Sequence, residues 1–178
     1  MDDPDPTTSS RYLWIAAFAT VMLGMTLFWI DQFLITPDAP VGIVSFELAK
    51  HIPQTQNILE SWGSEGRHWA AWSLVLDFPF LLAYSALFTL LTLKSRSDLR
   101  QLFTVGFVIA GFCDVVENLA LTGILAGYVY PQLTAAAYYF ASLKFLLLFT
   151  GWAFLGSQVL VWLWERVQTV PAASQGKS

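Results

Sequence analysis

The sequence predicts an all-α polytopic membrane protein, a four-transmembrane-helix antiparallel bundle, and three observations carry that prediction. Four long apolar segments punctuate the chain, each exceeding the roughly 20 residues that cross a hydrocarbon core at about 1.5 Å per residue. Charged residues make up only 12% of the 178 positions, about half the share of a soluble domain, while apolar residues reach 56% and mean hydropathy is +0.55. Aromatic residues supply 16%, with eight Trp, and such rings favour headgroup depth.

The spans read as residues 12–35, 69–93, 102–126 and 134–164. Residues 1–11, with Asp2, Asp3 and Asp5, read as a disordered acidic tail, and 165–178 as a flexible cytoplasmic one. The first apolar run is too long for a secretory signal and follows an acidic start, so it reads as a retained span. The connections "KSRSDLR" and "GYVYPQ" are short, which predicts neighbouring helices packed antiparallel. Arg11, Lys94, Arg96, Arg100, Arg166 and Lys177 fall on one side of the membrane, and only Lys50 and Arg67 on the other. That asymmetry places both termini in the cytoplasm, the chain lying in the inner membrane of the cell. Trp14, Trp162 and Trp164 then mark the cytoplasmic belt, and Trp29, Trp62, Trp69 and Trp72 the outer one. Small residues at four-residue spacing mark packing faces: Ala16, Thr20 and Gly24; Gly106 and Ala110; Ala137 and Ala141.

The first loop is more than a linker. Within an outer cap at 37–66, Ile43, Phe46 and Leu48 form a short apolar stretch that Pro53 ends. Ile58, Leu59 and Trp62 recur at helical spacing, and Gly63 is placed as a C-cap. Two short amphipathic helices are expected in this extracytoplasmic loop, covering the bundle mouth or resting among headgroups.

Ionisable residues inside the spans are the main functional signal. Asp77, Asp114, Glu117 and Lys144 each cost about 2.5–3.5 kcal/mol at mid-membrane on insertion scales. Asp77 lies eight residues inward from Trp69, a depth of roughly 12 Å, and Glu117 and Lys144 fall near ~15 Å from the outer ends of their helices. Three helices therefore present charge at one level. Asp114, Glu117 and Asn118 share a face at i, i+3 and i+4, and Tyr84 lies on the stripe of Asp77. Pro79 is expected to kink its helix and to free the Val75 carbonyl beside Asp77. Three carboxylates face one ammonium, so either some carboxyls hold protons or a cation or basic ligand compensates. A purely structural alternative stays open, with Lys144 paired to Glu117 or Asp77 to fix helix register.

Other candidates are weaker. Asp31 and Gln32 read as interfacial. Glu47 and His51 are candidates on the outer cap, but with Glu65 and His68 they match no zinc spacing, so no metal is assigned. Cys113 has no basic neighbour in sequence and reads as packing. There is no phosphate loop, His-Glu-x-x-His helix or nucleophile elbow, so no cofactor is implied. A basic stripe for nucleic acid is absent too.

At "FELA…ILESWG", "LDFPFLLAY", "DVVEN" and "LKFLLL" the chain resembles small bacterial four-span membrane proteins of unassigned function, over about residues 40–150. The resemblance carries no catalytic residues. Three readings follow. The first is a non-enzymatic protein whose polar cluster binds or conducts a proton, small cation or small polar ligand. The second is a structural or assembly subunit with a membrane partner or a second copy. The third is an enzyme acting on lipid headgroups, with Asp77 and Glu117 as acid and base.

Overall fold

A computed structural model describes residues 6–168. The tail readings at 1–5 and 169–178 fall outside the described residues. The helices are α1 (Pro6–Asp31), α2 (Ile43–Glu47), α3 (Ile52–Leu93), α4 (Arg100–Leu125) and α5 (Pro131–Gln168), with no strand among the described residues. Four segments, Ser10–Asp31, Ile52–Leu93, Arg100–Leu125 and Pro131–Arg166, are long and apolar enough to cross a membrane. The chain is a helical, multi-pass membrane protein. Its outward side chains agree: Phe18 and Met25 on α1, Phe112 on α4 and Phe149 and Leu160 on α5 are exposed, the reverse of a soluble helix.

α1 begins earlier than the sequence suggests. Residues 6–11, read as disordered tail, are helical. At the other end the helix stops at Asp31 rather than continuing to residue 35, and 32–34 form a turn.

The helices pack in a row. α1 lies on α3, α3 on α4, and α4 on α5. α3 has one break in its helical backbone. Gly63 adopts φ 59 and ψ −157, a conformation that a Cβ would strain. The break leaves carbonyls at the end of residues 52–62 without helical donors. Arg67 reaches back across it, and its Nε donates to the Leu59 carbonyl at 2.9 Å. Pro79, expected to kink the helix, sits in unbroken helical torsions. It shares an exposed face with Val75, one turn earlier, so the carbonyl it frees lies away from Asp77.

The first loop does not float over the outer surface. α2 packs against α3 and α5, and Phe46 and Glu47 are buried. Leu34, Ala39, Phe46 and Ala49 of the loop join Ile58, Leu59, Trp62, Ala70, Leu74, Leu121 and Ile124 in one core. Trp62, assigned to the aromatic belt from sequence, is part of that core because its Nε1 finds the Leu34 carbonyl at 2.8 Å. Thr36 and Ser61 add a hydroxyl contact at 2.8 Å between the same segments.

Two substitutions test this anchoring. Trp62→Phe keeps most of the ring but loses the hydrogen bond, and should lower stability by about 1 kcal/mol. Trp62→Ala also opens a cavity and should cost about 3–5 kcal/mol. Unfolding of the purified protein in one detergent measures both; equal losses would contradict the assigned bond.

Candidate functional site

The site is built where α2, packed on α3 and α5, brings Glu47 beside the buried face of α4. On α4, Asp114, Glu117 and Asn118 share the buried face, as one helical turn dictates. On α5, Ala137 and Ala141 are buried ahead of Lys144, and these small side chains let the backbones come close. α2 brings Glu47 from the loop. Its N-terminus is held by Asp31, whose Oδ1 accepts the Ile43 N–H at 2.6 Å. Gly42, at φ 54, lies against that carboxylate so closely that a Cβ would overlap it. Asp31 is thus an anchor for α2 rather than a bystander at the interface.

Lys144 is the centre of the cluster. Its Nζ lies 2.8 Å from Glu117 Oε2, 3.1 Å from Asp114 Oδ1 and 3.6 Å from Glu47 Oε2. Glu117 is 0% exposed, Lys144 5% and Glu47 7%, so this ion cluster has little water to screen it. Tyr84 from α3 donates its hydroxyl to Asp114 Oδ2 at 2.8 Å. Asn118 donates to Asp77 Oδ2 at 2.6 Å, which ties α4 to α3. Of the two ion pairs open from sequence, the Glu117 pair forms and the Asp77 pair does not. Asp77 takes an amide instead, because Lys144 is already surrounded by Asp114, Glu117 and Glu47.

The hydrogen-bond network is incomplete. Glu117 Oε1 has no hydrogen-bond partner, and Glu117 Oε2 meets the ammonium without hydrogen-bond alignment. Glu47 Oε2, 3.6 Å from Lys144 Nζ, also lacks a donor while the neighbouring Glu117 carboxyl is ionised. Buried acceptors are rarely left so, because each forfeits its hydration without replacement. Burial pushes the Glu47 carboxyl above the usual carboxylate range; the Lys144 ammonium opposes this and the Asp114 charge adds to it.

Beside the cluster lies a cavity of about 330 Å³. Asp31, Glu47, Asp77, Asp114, Asn118, Tyr84 and Lys144 line it, together with Phe28, Phe80, Phe88, Phe145 and Trp152. Glu117 stands behind Lys144 and is not part of the wall. The acid and base of the enzymatic reading therefore do not share a surface. No group of three His, Cys, Asp or Glu side chains among the described residues is disposed to hold a metal ion. No protein-family model, curated protein or solved structure matches this chain.

Sequence spacing brought Asp77, Tyr84, Asp114, Glu117, Asn118 and Lys144 forward, and the fold gathers all six. Glu47 joins them, although it was assigned to the outer cap, because α2 sinks between α3 and α5. His51 does not: it is exposed at the start of α3. The aromatic wall was missed. Phe80 and Phe88 carry no signal that separates a pocket lining from ordinary lipid-facing or core positions.

Two measurements probe the cluster. Lys144→Met leaves buried carboxylates without their counter-charge and should cost about 3–5 kcal/mol. Adding Glu117→Gln to it should restore part of that loss, since neighbouring charges do not act additively; strict additivity in the double-mutant cycle would dissolve the pair. For Glu47, a raised folded-state pKa means its contribution is complete below the unfolded value of 4.5 and is lost as pH rises through the folded value. Glu47→Gln should therefore gain in melting temperature relative to the unaltered protein as pH rises above 4.5. A difference that is flat or falls with pH contradicts this.

Proposed function

We propose that the chain binds a proton, a small cation or a small polar ligand at this intramembrane cluster. One observation carries the reading: Glu47, Asp77, Asp114 and Lys144 line one cavity with Glu117 paired to Lys144 beside it, and acceptor oxygens of Glu47 and Glu117 lack partners. With every group ionised, Glu47, Asp77, Asp114 and Glu117 exceed Lys144 by three negative charges. A low-dielectric site does not hold that excess without protons or a bound cation. In the same proposal the four spans form an antiparallel bundle in the inner membrane with both termini cytoplasmic, supported by the distribution of Lys and Arg. Kinship with small bacterial four-span membrane proteins rests on the strings quoted above.

A structural or assembly role has its own support, because Lys144 joins α5 to α4 and α2 and would hold their register. Thermal unfolding of the purified chain separates the two. A ligand at about one hundred times its dissociation constant should raise the melting temperature by about 5–10 °C. The shift should appear with ammonium ions or with pH, and vanish in Asp114→Asn/Glu117→Gln. Melting that ignores pH and every cation counts against a binding site. A stoichiometric membrane partner lost from Lys144→Met would favour assembly.

A further inference from the structure

We propose that the pocket takes a single-chain amphiphile with a protonated amine head, admitted sideways from the bilayer between α1 and α5. This rests on the ligand-binding reading above and names the ligand class.

The polarity of the cavity changes along the helices. Its charged end holds Asp31, Glu47, Asp77 and Lys144. From there, Thr20 lies eleven residues along α1, Phe88 eleven along α3 and Trp152 eight along α5, distances of about 12–16 Å. That is about half of a ~30 Å hydrocarbon core. The gradient matches a lipid-like molecule standing in the leaflet next to the 32–51 loop, with its head at the carboxylates and its chain toward the bilayer centre.

The cavity is also open at the side. α1 packs on α3 while α5 packs on α4, and no substantial α1–α5 packing closes the gap. Phe28 on α1 and Trp152 on α5 both line the cavity, yet they are 71% and 54% exposed. In a spanning helix that exposure faces lipid, so the entrance is a bilayer entrance.

The head is identified by charge and by the missing donor. Glu47 is more than nine-tenths buried, lines the cavity, and its Oε2 has no hydrogen-bond donor while the neighbouring Glu117 carboxyl is ionised. The surplus of carboxylates over Lys144 calls for a positive donor, and an alkylammonium supplies both charge and N–H groups. A phosphate would meet those carboxylates unfavourably. At about 330 Å³ the cavity is also at the low end of small-molecule pockets, about 300–1,000 Å³, which leaves no room for two acyl chains.

The full chain in phosphatidylcholine nanodiscs, titrated with dodecylamine, tests this. Dodecylamine should raise the melting temperature saturably, and a bromine-tipped dodecylamine should quench emission that Trp152→Phe removes. Dodecanol, dodecanoate and lysophosphatidylethanolamine should each bind at least tenfold more weakly. Glu47→Gln should weaken the amine at least tenfold. Leu148→Trp, one turn from Lys144 toward the apolar end, should weaken dodecylamine at least tenfold but leave methylammonium unaffected. Equal binding by dodecanol or by lysophosphatidylethanolamine, or amine binding indifferent to Glu47→Gln and Leu148→Trp, overturns the proposal. If methylammonium or protons stabilise the chain and dodecylamine does not, the amphiphile falls and the polar site stands. If none stabilises it, both fall.

Discussion

Lys144 is a cation placed within a membrane span, and the arrangement around it follows from making that tolerable. An ammonium buried alone in a low-dielectric medium is unstable, so opposite charge must come to it. Asp114 and Glu117 can do so because one helical turn on α4 presents both toward α5. The small side chains of Ala137 and Ala141 let α4 and α5 approach closely enough for the contact. Tyr84 then brings α3 into the same network through Asp114. Three long helices are tied together by one charge, buried so that little water competes for it.

The same demand explains the first loop. A polar segment beside a membrane bundle would ordinarily stay in water or among headgroups. Here it is drawn inward by an apolar side, Phe46 and Ala49, and by the fit of Glu47 to Lys144. Its five-residue helix is too short to stand on its own hydrogen bonds. Asp31 supplies the missing support at its N-terminus, and Trp62 holds the loop backbone from the other side. The loop thus becomes a wall of the site.

What remains open is also a consequence of packing. The row α1–α3–α4–α5 gives α1 one broad neighbour, α3, so its far side faces lipid and the groove toward α5 is left unfilled. Aromatic rings line the groove where charge is absent, and carboxylates line it where Lys144 is near. A pocket with an acid end and an apolar end, entered from the bilayer, combines the two halves of an amphiphile's chemistry in one place.

Much of this was legible in the residues alone. Apolar runs longer than a bilayer is thick admit no soluble reading, and four of them are visible without any knowledge of contacts. Asp77, Asp114, Glu117 and Lys144 stand out for the same reason, since charge inside such a run needs a partner. Helical periodicity is local, so the common face of Asp114, Glu117 and Asn118 could be read from spacing. The pairing could not. Lys144 had two possible partners by depth, and only the packing of α5 on α4 selected Glu117 and Asp114 over Asp77 on α3. The inward position of Glu47 and the hold of Asp31 on α2 could not be read from spacing, because loop insertion depends on surfaces that exist only once α3, α4 and α5 have packed. The cavity, too, is a property of the gap between α1 and α5. Membrane crossing is a local matter of chain length and solvation; the site arises from non-local contact, and tertiary structure alone decided it.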